Sequence, residues 1–178
     1  LPICYYDLAG AITYATTGYD PLSGRRGAPP APEGKWWLLR SESQRLTQPE
    51  DRTLLDELAQ RRLRNPVATV DDLLARLSPD GRAVYALAAN SDPERVRELI
   101  RQLPAEIRTQ LQVLDLVPQQ LETLRAHLLL IHGTNDNVIP VGHSRALLAR
   151  LGKARASLFE AGGLDHVDVA PGLRDTFR

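Results

Sequence analysis

The run Leu128-Leu129-Leu130-Ile131, closed by His132-Gly133, limits the fold of this chain more than any other stretch. Consecutive aliphatic residues fit neither an alternating, half-exposed strand nor one stripe of a surface helix. The pattern is that of a strand buried on both faces of a parallel sheet. Parallel neighbours need a crossover, and one follows. Ser144 to Leu151 carries Ala146, Leu147, Leu148 and Leu151 along one side of a helix that stops at Gly152. Ala156-Ser157-Leu158-Phe159-Glu160 then reads as a second short strand, and Ala161-Gly162-Gly163 turns the chain out of it. Strand, helix and strand make a βαβ unit, so the expected fold class is α/β.

Earlier parts of the chain read differently. Leu1 to Tyr6 is short, aromatic and β-branched, and fits a buried strand that leaves its sheet at Asp7. Cys4 in that run reads as a small buried residue rather than a reactive thiol. Pro21, Pro29, Pro30 and Pro32 then alternate with Gly24, Gly27 and Gly34, the composition of a surface excursion. From about residue 49 to residue 125 the apolar residues recur at helical spacing, as in Leu54, Leu55 and Leu58 or Val70, Leu73, Leu74 and Leu77. Ser78-Pro79-Asp80 and Ser91-Asp92-Pro93-Glu94 both combine a capping side chain, an early proline and an acid in the first turn. The expected organisation is a core strand and loop over residues 1–20, a linker and helical subdomain over 21–125, and a core βαβ unit over 126–178. Residues 35 to 122 are expected to be mainly helical and to add no strand to the sheet.

Composition removes several function classes. Hydrophobic content of 43% and charged content of 25% are those of a folded, water-soluble domain. Lys and Arg total 22, as do Asp and Glu, so no net field gathers nucleic acid. No stretch approaches the roughly 20 apolar residues of a membrane-spanning helix, and the start lacks the order of a signal peptide. A single cysteine builds neither an internal disulfide nor a cysteine zinc site. The excess of arginine over lysine, with abundant alanine and leucine, points to a high-GC bacterial source; the expected location is cytoplasmic.

Chemistry concentrates after the apolar run. Gly133-Thr134-Asn135-Asp136-Asn137-Val138-Ile139-Pro140 delivers an acid beyond the C-terminal end of a buried strand, the edge at which ligands gather in open α/β sheets. After the next strand, Gly162-Gly163-Leu164-Asp165-His166 brings a histidine to the same edge. A Gly-x-x-Asp-x-x-x-Pro loop followed by a Gly-x-x-x-His loop resembles the last two catalytic loops of the α/β-hydrolases, in the chain order acid then histidine. The resemblance covers about residues 126 to 170. It implies that Asp136 holds the tautomer of His166, and that His166 takes the proton of a weak hydroxyl nucleophile and returns it to the leaving group. It also implies that residues 1 to 10 are the preceding core strand and that the helical segment is an inserted cap over the site. Asp7 competes with Asp136, because some members of that family carry the acid after the earlier strand; the loop around Asp136 is the more specific context. His132 is expected to shape the loop beneath Asp136, while His127 and His143 are expected at the surface or at a helix start. A metal site from His132, Asp136 and His166 matches no familiar zinc spacing, and no cofactor is implied.

The nucleophile does not appear in the sequence. No Gly-x-Ser-x-Gly turn is present, and Ser23, Ser41, Ser43, Ser78, Ser91, Ser144 and Ser157 occupy no equivalent setting. With Leu1 at its start and no methionine, the chain reads as the C-terminal half of such an enzyme, with the serine and the oxyanion hole in a missing N-terminal half of the same fold. The expected activity is cleavage of an ester, amide or similar acyl bond in a small molecule, the fragment itself being inactive. The alternative is a non-catalytic binding or scaffold protein on the same fold.

Overall fold

The computed structural model describes residues 5–27 and 30–164. Helix α1 (Leu8–Thr17) leads into a two-residue hairpin of β1 (Tyr19–Asp20) and β2 (Arg25–Arg26). Helices α2 (Gly34–Ser43), α3 (Pro49–Arg64), α4 (Asp71–Leu74), α5 (Pro79–Ala89), α6 (Val96–Gln102) and α7 (Ala105–Leu114) follow without an intervening strand. The chain then enters β3 (Leu128–Gly133), α8 (Gly142–Leu151) and β4 (Ala156–Ala161). β3 and β4 pair in parallel with Leu128 opposite Ala156 and Gly133 opposite Ala161. The mixed α/β class, the helical middle and the βαβ unit are therefore as the sequence implies.

The first twenty residues are not. A loop was expected after Asp7, yet α1 begins there. Asp7 is its N-cap, with Oδ1 accepting from the Gly10 amide at 3.0 Å, and Gly18 closes the helix at φ 74°, in the left-handed region that glycine enters without strain. Its threonines bond backward within the helix: Thr13, Thr16 and Thr17 hydroxyls donate to the carbonyls of Ala9, Ile12 and Thr13. That satisfies their polar groups and lets α1 be buried almost all round. Tyr5, expected in a core strand, makes a parallel bridge with Asp115 at the end of α7 instead of joining β3 and β4. The rest of that expected strand, with Cys4, lies outside the described residues.

Two apolar clusters hold the described chain. The larger is helical and joins Leu8 and Ile12 of α1, Leu39 of α2, Leu55 and Leu58 of α3 and Leu87 of α5, all nearly closed to solvent. Asp51 is buried within it: Oδ1 accepts the Ser78 amide at 2.9 Å, and the Ser78 hydroxyl also donates to the carboxylate. An acid in the first turn of α3 thereby ties down the N-cap of α5. The smaller cluster packs Leu147 and Leu151 of α8 onto Leu128 and Leu130 of β3 and Ala156 of β4. Arg150 joins the two regions, its guanidinium donating to the carbonyls of Leu116, Val117 and Gln119.

The apolar run of β3 is covered on one face only. Burial alternates along it, and Leu129 and Ile131, with Phe159 of β4, are each more than 60% exposed. Helix α8 covers the face that carries Leu128 and Leu130; among the described residues nothing covers the other. No helix of the described chain is long and apolar enough to cross a membrane.

Candidate active site

Asp136 sits where β3 ends, and the loop after it folds around its carboxylate. Oδ1 accepts the amides of Val138 and Ile139, both at 2.8 Å. An acid that accepts amides two and three residues on builds its own turn, the local reason that Asp starts such loops. The side chain is 5% exposed. Oδ2 lies 3.3 Å from His132 Nε2, which also points at the Ile139 carbonyl at 2.9 Å. Because that carbonyl only accepts, Nε2 carries a proton, shared between a near neutral partner and a more distant charged one. His132 Nδ1 meets the Ser144 hydroxyl of α8 at 2.7 Å. The bond to Asp136 raises the His132 pKa most; burial opposes it, while the Ile139 carbonyl and Glu160 add to it. His132 thus fastens the acid loop to α8 from beneath, in keeping with the loop-shaping role its position suggested.

The other half of the expected pair, His166, lies outside the described residues, with Asp165 and Asp168. β4 ends beside the acid loop: the Thr134 amide in that loop donates to the Ala161 carbonyl, at the end of β4, at 3.1 Å. Asp7, the competing acid, is occupied as the cap of α1. His127 is exposed at the opposite end of β3, where its ring meets the Ser157 hydroxyl and the Ala154 carbonyl. Among the described residues no three His, Cys, Asp or Glu side chains are grouped to hold a metal ion.

His143 was expected at the surface or at a helix start. It is in the first turn of α8 but only 3% exposed, and neither ring nitrogen has a hydrogen-bond partner among the described residues. Burial lowers its pKa; Asp20 and Asp7 oppose this, and His132 adds to it. Nearby, Tyr14 of α1 is 1% exposed, and burial raises its pKa, helped by the charges of Asp136 and Asp20. Asp20 is buried too, Oδ1 accepting the Leu22 amide at 3.0 Å. A set of titratable groups therefore gathers around the acid loop: Tyr14 and Asp20 from the α1–β1 region, His143 from α8, and His132 from β3. Sequence reasoning missed Tyr14, Asp20 and His143, because each is set in a local pattern of helix or turn. Only the packing of α1 against the acid loop brings them together.

An apolar cleft of about 610 Å³ opens beside this cluster. It lies between α1, α2 and α7, and Asn137, Val138 and Ile139 of the acid loop form one wall. The Ala31 amide, just before α2, donates to the Asn137 carbonyl at 3.1 Å, so the helical segment is seated on the loop that holds Asp136. No protein-family model matches the chain, and no solved structure matches it significantly.

Proposed function

We propose that this chain is part of a serine-type α/β-hydrolase that cleaves an ester, amide or similar acyl bond, with Asp136 as the acid and His166 as the base of its triad. The observation that carries the reading is the Asp136 carboxylate: buried at the C-terminal end of a parallel strand, held by two backbone amides, and beside an apolar cleft under helices. A carboxylate fixed in that way is suited to orient an imidazole and to stabilise it when it becomes charged. Helices over the cleft would exclude water and contact the substrate. On this reading the serine and the oxyanion-hole amides come from sequence upstream of Leu1.

The test uses the chain joined to that upstream sequence. Asp136→Asn is expected to lower turnover by about 10⁴, as loss of a triad acid does by reversing the preferred tautomer. His166→Ala should be at least as severe. Asp7→Asn should leave turnover near normal, since Asn caps a helix about as well as Asp, so a fall there reflects chemistry rather than folding. Normal turnover in Asp136→Asn with an inactive Asp7→Asn would move the acid to Asp7. An upstream sequence with no Gly-x-Ser-x-Gly turn, and no labelling by a serine-directed fluorophosphonate, would favour the non-catalytic alternative. The chain by itself is expected not to take that label.

A further inference from the structure

The cleft has a direction that its residues define. Leu8, Ala11, Ile12 and Ala15 lie on one face of α1, at the spacing that brings helical side chains into line. Gly34, Trp37, Leu38 and Ser41 do the same on α2, and Leu111 and Leu114 of α7 close the space between them. One end is the acid loop, reached through Ala31 and Gly34. The other is the pair Glu42 and Arg45, whose carboxylate Oε2 and guanidinium Nε are 3.1 Å apart. From Gly34 to Glu42 the helix rises about 12 Å. With carbon–carbon bonds of about 1.5 Å set in a zigzag, that length accepts a chain of roughly eight to ten carbons.

The walls decide the chemistry of the occupant. Between its ends the cleft presents mainly aliphatic side chains, with the Tyr5 and Trp37 rings and Ser41, and a volume of about 610 Å³ is ordinary for a small-molecule site. An acetyl-sized group leaves most of that surface unused. At the far end the Arg45 charge is already matched by Glu42, and its guanidinium also donates to Gln110. The Glu42 side chain is 14% exposed. A carboxylate arriving there meets a like charge and finds the nearest cation engaged.

We infer that this cleft binds an uncharged alkyl or acyl chain of about eight to ten carbons, with the polar end of the ligand at the acid loop and the chain running along α2 toward Glu42 and Arg45. Which end carries the carbonyl rests on the hydrolase reading; binding of the chain does not. The substrate class is accordingly a medium-chain carboxylic ester or amide without a terminal charge.

Direct binding to this chain tests it, read by calorimetry and by the fluorescence of its two tryptophans, Trp36 and Trp37. The probes are methyl octanoate, methyl acetate and monomethyl suberate. Each methylene removed from water favours binding severalfold, so methyl octanoate should bind at least about a hundredfold more tightly than methyl acetate. Monomethyl suberate, with its far carboxylate, should bind at least about tenfold more weakly than methyl octanoate. Two variants place bulk in the cleft from different helices, Ala15→Phe and Gly34→Leu. A β-carbon at position 34 meets nothing closer than the Ala31 side chain at 4.0 Å, so a side chain enters there without backbone strain. Each variant should weaken methyl octanoate at least about tenfold while melting as the parent does. If one fails to fold, the other decides. Equal binding of the long and short esters, or undiminished binding in a folded variant, overturns the site; equal binding of the suberate overturns the orientation. Chain-length-dependent binding together with turnover that ignores Asp136 would keep the cleft and sink the hydrolase reading. Asp136-dependent turnover without chain-length preference would do the reverse.

Discussion

Replacing Asp136 by Asn removes one charge from a nearly closed loop while keeping its shape, and the effect falls first on His132. In the parent, Oδ1 takes two amides at 2.8 Å and Oδ2 lies 3.3 Å from His132 Nε2. The amide of Asn still offers one acceptor to Val138 and Ile139, but those two bonds lose their charge assistance and His132 loses its ionic partner. Hydrogen bonds to charged groups exceed neutral ones by about 1 kcal/mol each, so Asp136→Asn should cost about 2–3 kcal/mol at neutral pH. The pH dependence is more specific. The folded-state pKa of His132 is above its ordinary 6.5, with Asp136 the largest cause, burial opposing and Ile139 and Glu160 contributing. A histidine raised in this way stabilises the fold fully below its unfolded value, and that contribution is lost as pH rises through its folded value. Asp136→Asn should lower the His132 titration midpoint and flatten that slope. The assay is an NMR titration of the four imidazole signals, with urea unfolding from about pH 5.5 to about pH 8.5. His143 pulls the opposite way, so both proteins are best compared in a His143→Leu background. An unchanged His132 midpoint in the Asn variant would refute the argument, because the Asp136 carboxylate is the group that raises it most.

Other consequences are as direct. His143→Leu should raise stability by about 1 kcal/mol near neutral pH, by removing two buried ring nitrogens that have no hydrogen-bond partner among the described residues. Because burial depresses the His143 pKa, the parent loses stability as pH falls through 6.5 toward the folded value, and urea melts of the variant should lack that acid-side loss. Gly81→Ala places a β-carbon 2.7 Å from Asp51 Oδ1 and 3.0 Å from Leu77 Cδ2. The clash should outweigh the roughly 1 kcal/mol that alanine gains over glycine in a helix, giving a net loss in chemical denaturation. Leu58→Ala, in the sealed helical core, should cost about 2–5 kcal/mol, whereas Phe159→Ser on the open sheet face should stay within about 0.5 kcal/mol; comparable losses would contradict the burial described.

What could be read in advance followed from local chemistry. Periodic leucines and capped starts such as Ser78-Pro79 announce helices by themselves, and the aliphatic run with its Gly-x-x-Asp loop announces a strand that ends in an acid. Asp136 binds the amides of Val138 and Ile139, which lie between it and Pro140 of the motif, so the spacing of the motif and the turn it forms go together. Helix α1 was hidden because Gly10 and its threonines lower helix propensity; burial among other helices and the backward hydroxyl bonds overcome that preference. The open face of β3 was hidden for a different reason. A continuous apolar run reports what a strand prefers to touch, and α8 supplies neighbours on one side only. His143 stands at a helix start as its sequence position implied; its burial was not legible, because groups that face it, such as Asp20, come from more than a hundred positions away in the chain.

The loop that follows β3 serves two ends with the same residues. The amides of Val138 and Ile139 hold the Asp136 carboxylate, and the residues themselves form part of the cleft wall. The carbonyl of Asn137, just before them, accepts the amide of Ala31, which fixes the entry to α2, the helix along which the cleft runs. On the proposed orientation, the polar end of a ligand packs against that wall beside the groups that hold Asp136, and its chain along α2 holds it there, whereas a short ligand meets the same wall with less to keep it in place. In an enzyme built this way, binding energy from a remote apolar part of the substrate is available to position the reacting end, and a truncated substrate loses turnover as well as affinity. Shortening the chain and removing the Asp136 charge then act on one loop, and their effects on turnover should fall short of additive, as they do for groups that share a structural unit.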